Sequence, residues 1–366
     1  MKSTDSLLRA PAGANTHVGD AARRRRRVEE TAAAVFRGWG YEEVLLPLFD
    51  HAEVFARGGG RWSERSSYRF TEGGDLLALR ADFTALAARA AVTGLPREAE
   101  RLFYRGEVVR RPGRGLGPSA FREVGIEHFA AGTGADLEIL LVAFEVLERL
   151  GVDGFVFTLG HAGFPLGLLD EALPEGPDRS ERRAEALRGL WRRDPSRIRG
   201  ALGERAGPLV GALEFFGGRE VLEEARRRPL PDGAREGVAR LSAISRVLED
   251  LELAERFRFD LAELRGFDYY TGLIFEAHAP GAGQEIGGGG RYNDLLANFG
   301  DPRPAVGFSL SVDRIAGILP ESSDAREGAT ESVARGPDTR SALAARFRAA
   351  RAARAAGSAV RFEPSS

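Results

Sequence analysis

The sequence predicts an α+β fold: an antiparallel sheet flanked by helices, with a helical subdomain inserted into it. Runs rich in aromatic and β-branched residues read as strands, EAERLFYRGEVVRR, FREVGIEHFAAG and VDGFVFTLG before the middle of the chain, RFRFDLAELRGFDYYTGLIFEAHA and PAVGFSLSVDRIAGIL after it. Between them, residues 164–255 turn helical and locally polar, with Arg clusters, Pro165, Pro174, Pro208, Pro229 and Pro231, and no clear strand candidate. A hydrophobic content of 43% over 366 residues is enough for sizeable cores. The chain therefore divides into an extension over 1–20, a sheet domain over 21–163 and 256–319, a helical insertion over 164–255, an aperiodic linker over 320–337 and an Ala/Arg-rich tail over 338–366.

Individual elements follow from spacing. Val28, Ala32, Val35, Phe36 and Trp39 recur at intervals of three and four, which makes 21–39 an amphipathic helix ending at Gly40. Its Arg23–Arg27 run invites a nucleic-acid reading, but Glu29 and Glu30 follow one turn after Arg25 and Arg26, as on a solvated helix face. YEEVLLPLFD is a short apolar strand closing on Pro47, and a Gly/Ser/Arg-rich loop is expected from Gly58 to Ser67. Gly73 and Gly74 mark a hairpin between the runs 68–70 and 76–79. Asp82 to Ala91 reads as a helix with Asp82 near its start. Asp136 is expected to cap LEILLVAFEVLERL, a helix stopped by Gly151. PGAGQEIGGGGRYNDLLANFG reads as a turn, SALAARFRAARAARAAG as a helix and SAVRFEPSS as a single strand.

Composition excludes several chemistries. With 52 Lys+Arg against 54 Asp+Glu there is no global basic field to gather nucleic acid or anionic lipid, and neither partner is expected. The absence of cysteine removes disulfides, thiolate nucleophiles and Cys-ligated metals. Lys2 is the only lysine, so a Schiff-base lysine and a P-loop lysine are missing. That near-total replacement of Lys by Arg, with abundant Ala and Gly, reads as the codon usage of a GC-rich genome. His17, His51, His128, His161 and His278 never fall at i, i+3 or i, i+4, so no metal or cofactor is expected. The first residues lack the apolar core of a secretory signal and no apolar run is long enough to span a bilayer, so a cytoplasmic location is expected.

Three segments carry chemistry. Arg105 and Glu107 share one face of LFYRGEVV, and the next strand places Phe121, Glu123, Gly125 and Glu127 on one face, so a guanidinium and carboxylates can converge on one sheet surface. Such a set suits a zwitterion with phosphate nearby, since an Arg fork matches phosphate oxygens and carboxylates accept from amines or imidazole N–H groups. The second segment is R-G-F-D-Y-Y-T-G, which joins Arg265 to Tyr269 and Tyr270 and is followed by GGGGRY ending at Tyr292. The third is PAVGFSLSVDR, which sets small residues before a helix carrying Arg314.

In order and spacing these segments resemble the catalytic domain of class II histidyl-tRNA synthetases over roughly 20–318, and R-G-x-D-Y-Y followed by G-G-R-Y is quite specific to that family. The resemblance implies a class II aminoacyl-tRNA synthetase-like sheet. It also implies that Arg105, with Glu107 beside it, and Arg314 would grip ATP, that Arg265 would lie against the reacting carboxylate, that Asp82 and Glu123 would face an α-amino group, and that Glu127, Tyr270 and Tyr292, with Tyr269 adjacent, would enclose an imidazole.

The departures point to a paralogue. The loop after Glu107 does not follow the synthetase pattern, its arginine falling at Ser119, and position 123, usually glutamine, is Glu. LRPEGT has become LRADFT at 79–84, and the anticodon-binding domain expected after Arg314 is absent or reduced to the tail. An eroded ATP side beside a kept histidine side resembles the regulatory-subunit family of ATP phosphoribosyltransferase. By that resemblance the chain would be non-catalytic and would partner the short-form catalytic subunit of that enzyme in the first step of L-histidine biosynthesis. It would also bind L-histidine as feedback signal and form a homodimer, through the strand before Pro47 and the helix 21–39, inside a hetero-octamer. The competing readings are a truncated histidyl-tRNA synthetase that forms histidyl-adenylate, favoured by Arg105, Glu107, Arg265 and Arg314, and an RNA-binding module using Arg23–Arg27 and the basic tail.

Overall fold

The computed structural model describes residues 13–94, 96, 100–111, 119–264, 269–321, 331–333, 340–355 and 360–362. Contacts divide the chain into two units, Met1–Leu319 and Pro320–Ser366. The first begins with α1 (Asp20–Gly38), β1 (Glu42–Glu43), β2 (Phe49–His51), α2 (Ala52–Ser66), the hairpin β3 (Arg69–Glu72) and β4 (Asp75–Leu79), and α3 (Thr84–Thr93). β5 (Arg101–Val109), β6 (Ala120–His128), α4 (Thr133–Leu150) and β7 (Val156–His161) follow. The insertion contains α5 (Gly163–Ala172), α6 (Arg179–Trp191), α7 (Pro195–Leu202), α8 (Gly207–Ala212), β8 (Phe216–Gly217), α9 (Glu220–Arg226) and α10 (Asp232–Asp250). The sheet then resumes with β9 (Phe257–Asp260), β10 (Leu273–His278), β11 (Gly287–Arg291) and β12 (Val306–Ser311), and α11 (Val312–Ile318) ends the unit.

Nine strands form one sheet in the order β1-β5-β6-β12-β11-β10-β7-β9-β8. It is antiparallel except where β1 meets β5 and β7 meets β9. One face is covered by α1 and α4, and across it runs a row of phenylalanines. Phe36 of α1 sits 5.6 Å from Phe103 and 6.0 Å from Phe308, and the row continues through Phe275, Phe157 and Phe257. All six rings are buried, each contributing about 1.5–3 kcal/mol by transfer from water. Since successive strand residues alternate sides, placing Phe103, Phe308 and Ile126 on this face sends Tyr104, Gly307, Gly125 and Glu127 to the other.

The arginine run of α1 is occupied within the unit. Arg24 pairs with Asp20 and donates to the Leu319 carbonyl, Arg25 pairs with Asp313, Arg26 with Glu29, and Arg27 donates to the Leu150 carbonyl. Glu29, 1% exposed, also receives Arg122 of β6. This row therefore fastens α1 to its neighbours and is not a bare cationic face.

Several sequence expectations change. Gly58 to Ser67 lies mostly inside helix α2 rather than in a loop, and a Cβ at Gly58 would overlap Ala85, so the glycine allows α2 to approach α3. Asp136 does not cap α4. The helix starts at Thr133 behind Gly132, and the Asp136 carboxylate turns inward to Arg291, with Nε–Oδ1 2.6 Å and both side chains buried. Arg291 also donates to the carbonyls of Ala130 and Gly132, closing the start of α4 onto the end of β11. The expected turn around GGGGRY is strand β11, which has no side chains to show a period until Arg291. β8 is a two-residue strand within the insertion, pairing Phe216 with Asp260. YEEVLLPLFD contributes only Glu42–Glu43 to the large sheet, and Phe49–His51 joins β4 and β3 in a separate three-stranded sheet. In the second unit Glu331–Val333 (β13), within the stretch read as linker, pairs in parallel with Val360–Phe362 (β14), with helix α12 (Arg340–Ala355) between them in sequence. Three residues are too short a run to show a period.

The buried Arg291–Asp136 pair generates a stability prediction. Arg291→Ala leaves a carboxylate buried without its partner and should cost about 3–5 kcal/mol in urea unfolding. The double variant Arg291→Ala/Asp136→Ala should lose clearly less than the two single losses combined, because the pair acts as one unit.

Candidate functional site

On the face of the sheet opposite the phenylalanine row lies a cavity of about 70 Å³, room for several water molecules. Its walls come from the loop before α3 (Asp82, Thr84), from β5 and the residue after it (Tyr104, Arg110), from β6 (Glu123), from Tyr269, Tyr270 and Tyr292, and from Glu285, Ser311 and Arg314. The glycines of β11 and β12 make its floor. At Gly307 an added Cβ would overlap the Glu127 carboxylate, and at Gly290 it would lie 2.9 Å from the Tyr270 ring, so both positions require the bare backbone.

The Glu127 carboxylate lies over the Gly307 backbone on this same face, beside the cavity and 1% exposed. The Tyr104 hydroxyl donates to its Oε1 at 3.3 Å and the Tyr292 hydroxyl donates to its Oε2. Burial pushes its carboxyl up to about 7, against the opposing pull of hydrogen bonds from Tyr292, Thr84 and Tyr104. Burial also holds the phenols of Tyr104, Tyr269 and Tyr292 well above the usual range, so they stay protonated and act as donors. Tyr269 meets Tyr270 at 4.8 Å and Tyr292 edge-on at 5.6 Å, closing one side with aromatic surface.

At the other side Asp82 accepts from the Ala85 amide at 3.3 Å, while its buried Oδ2 has no hydrogen-bond partner among the described residues. Burial raises the Asp82 carboxyl, and the nearby Arg110 charge and the Ala85 amide oppose the rise. Glu123 pairs with Arg110 at 2.8 Å, and Arg110 also donates to the Ala81 carbonyl at 2.6 Å. Arg314 pairs with Glu285 at 2.9 Å. Buried carboxylates with an unmet acceptor, bordered by protonated phenols and aromatic faces, suit a small amine-bearing ligand with a flat polar ring.

The structure brings Asp82, Glu123, Tyr269, Tyr270, Tyr292 and Arg314 around this one cavity, with Glu127 on the same face just behind Tyr104 and Tyr292. Arg105 and Glu107 are not part of it. They share one strand face, as their spacing requires, but it is the face of Phe103, where Arg105 pairs with Glu43 at 2.8 Å and Glu107 is exposed. The residue that reaches the cavity is Arg110, because Tyr104, Val108 and Arg110 alternate onto the other side. That same period of two was visible in the sequence, and what was missing was an anchor saying which side is covered. Glu285 was missed for want of any motif. Arg265 and the stretch 112–118 lie outside the described residues, and Ser119, at its edge, accepts a hydrogen bond from Tyr68 at 3.3 Å. Among the described residues no group of three or more His, Asp or Glu is arranged to hold a metal, and no helix is long and apolar enough to cross a membrane.

The position of Glu127 has a pH consequence. Between about pH 4.5 and 7 the folded chain keeps a proton that the unfolded chain has lost, so stability falls as pH rises through this window, by roughly 3 kcal/mol in all. Urea midpoints at pH 5 and pH 8 should show this fall in the wild type, and Glu127→Gln should remove most of it.

Comparison with known proteins gives a consistent placement. A family model described as Histidyl-tRNA synthetase matches residues 15–315. A protein of Moorella thermoacetica named ATP phosphoribosyltransferase regulatory subunit is 37% identical over 96% of this chain and 91% of its own length. One of the same name from Halothermothrix orenii is 30% identical over 85% of this chain and 76% of its own. Among solved structures, one from Bacillus halodurans titled as an ATP phosphoribosyltransferase regulatory subunit/histidyl-tRNA synthetase superposes with a TM-score of 0.84 at 25% identity, covering 98% of this chain and 93% of that one. With a class II synthetase-like sheet, a carboxylate-lined cavity on its open face and relatives of this kind along nearly its whole length, the chain belongs to the ATP phosphoribosyltransferase regulatory subunits, a family built on the histidyl-tRNA synthetase fold.

Proposed function

We propose that this chain has no catalysis of its own, that the short catalytic subunit of ATP phosphoribosyltransferase requires it for activity, and that free L-histidine bound in the cavity is the feedback signal in the first step of L-histidine biosynthesis. The observation that carries the reading is Glu127: a buried carboxyl with its proton held near neutral pH between two phenol donors, beside a cavity with aromatic walls. An imidazole needs a partner at each nitrogen, and a carboxyl that can be donor or acceptor close to pH 7 meets either protonation state. Asp82 and Glu123 supply acceptors for an ammonium group. For feedback to follow, histidine must bind one conformation of the assembled enzyme better than the other, and inhibition cannot exceed that difference.

A second reading, histidyl-adenylate formation, is favoured by Arg314 and Arg110 at the cavity and by the double title of the Bacillus halodurans structure. Against it stands the internal pairing of both guanidiniums, since adenylation needs preorganised positive charge around phosphates.

The exposed apolar surface supports a homodimer. Leu45 (86% exposed) before Pro47, Leu48 just after it, and Phe49 and Phe70, whose rings meet at 5.9 Å on one face of the three-stranded sheet β2-β4-β3, lie bare, and such exposed apolar surface is uncommon on a monomer. The dimer surface is assigned to this patch rather than to α1, whose apolar side is consumed by the sheet. The interface should bury roughly 2,000 Å² or more. Leu45→Asp should shift the chain toward monomer in sedimentation at micromolar concentration, and a wild type that sediments as a folded monomer would exclude the dimer.

Calorimetry and inhibition test the function itself. Histidine should bind the isolated subunit, with Glu127→Ala weakening it about ten- to a hundredfold through loss of one charge-assisted bond. The complex with the short catalytic subunit should be active, and its Glu127→Ala form should need correspondingly more histidine for inhibition. Inhibition unchanged in that variant would place the sensor on the catalytic partner, and histidine-dependent exchange of ATP with pyrophosphate would select the synthetase reading.

A further inference from the structure

We propose that Glu285 and Glu123 are internal counter-anions that hold Arg314 and Arg110, the two guanidiniums of the described cavity, and so disfavour phosphate-bearing ligands there while leaving it open to amines. This deepens the amino-acid reading of the cavity and rests on it for the ligand admitted, but not for the ligand refused.

Two guanidiniums facing one cavity are, by their chemistry, an anion site, since each presents a planar fork of N–H donors matched to phosphate oxygens. Here each guanidinium already holds a carboxylate of the chain, Arg110 through Nη2 and Arg314 through Nη1. Arg110 gives Nη2 to Glu123 at 2.8 Å and Nε to the Ala81 carbonyl at 2.6 Å. Arg314 gives Nη1 to the Glu285 carboxylate at 2.9 Å and to the Glu285 carbonyl. Glu123 and Asp82 are buried, whereas Glu285 and Arg314 are each 35% exposed, so the outer pair stands on the cavity's open side where an incoming polyphosphate meets it first.

The remaining wall strengthens the asymmetry. Among the described residues Asp82 adds a third carboxylate against two guanidiniums, and its buried Oδ2 meets no donor there. An anion binding either arginine sits beside the carboxylate that arginine already holds, which like charges at close range oppose. An ammonium group instead supplies the missing donor and relieves that crowding. Glu285 has no other charged partner in the described cavity, which makes it the residue whose removal unmasks Arg314 with least disturbance to the buried acceptors.

The test is titration calorimetry of the full chain with inorganic pyrophosphate, and in a second arm with ATP, at fixed ionic strength. Glu285→Gln should bind pyrophosphate about ten- to a hundredfold more tightly than wild type, with the gain shrinking as salt rises. Histidine affinity should change much less than pyrophosphate affinity in this variant. Glu123→Gln should gain pyrophosphate affinity and lose histidine affinity. Wild type binding pyrophosphate as tightly as Glu285→Gln, with both chains unfolding cooperatively at similar temperature, would overturn the assignment. A gain for pyrophosphate without a gain for ATP keeps it and limits the unmasked site to small phosphates. If no chain binds histidine while Glu285→Gln still gains pyrophosphate, the amino-acid reading fails and the counter-anion assignment stands.

Discussion

The buried ion pair between Arg291 and Asp136 is the constraint on which the site depends. It joins the last residue of an otherwise side-chain-free strand to the first turn of the helix packed on the opposite face. Arg291 faces the helices, so its neighbour Tyr292 must face the cavity, where its hydroxyl meets Glu127. The register of β11 against β12, Gly290 opposite Gly307, then leaves the bare backbone under that same carboxylate. A charge pair on one side of the sheet thus sets a hydrogen bond on the other. The insertion touches the same point, since Arg240 of α10 donates to Thr133 and lies 4.0 Å from Asp136.

The electrostatics of the cavity divide along its length. At the inner end a carboxyl is kept near neutrality by burial, and phenols are kept protonated for the same reason. At the other end Glu123 and Glu285 are each held by an arginine, while burial raises the Asp82 carboxyl. Low dielectric strengthens both arrangements, because an unmatched charge in either place would be costly. One pocket thereby combines a titratable end and a fixed-charge end within a single sheet face.

Much of this was legible in the sequence, and the reasons it was or was not are specific. Glu123 and Glu127 were placed together because a strand repeats every two residues and nothing interrupts β6. Gly73 and Gly74 marked their hairpin because both adopt positive φ, which a two-residue turn demands. Arg110 was passed over in favour of Arg105 because alternation tells which residues share a side, never which side is covered. Only the contact of Phe103 with Phe36 decides that, and it links residues far apart in the chain. Gly58 and the β11 glycines misled for another reason: glycine reads as a loop wherever it serves instead as clearance for a neighbouring helix or strand.

The four consecutive glycines of β11 carry a thermodynamic consequence. Ordering glycine in a strand costs about 0.5–1 kcal/mol more per residue than ordering alanine, so this wall of the cavity gives up roughly 2–4 kcal/mol of conformational entropy that its own side chains cannot recover. The loss is met by backbone hydrogen bonds to β10 and β12 and by the anchor at Arg291. The strand lies inside the sheet, bonded on both sides by β10 and β12, so its amides are shielded even though its residues carry no side chains. Anything that fills the cavity presses on this strand first, and its occupancy is written into the protection of those glycine amides.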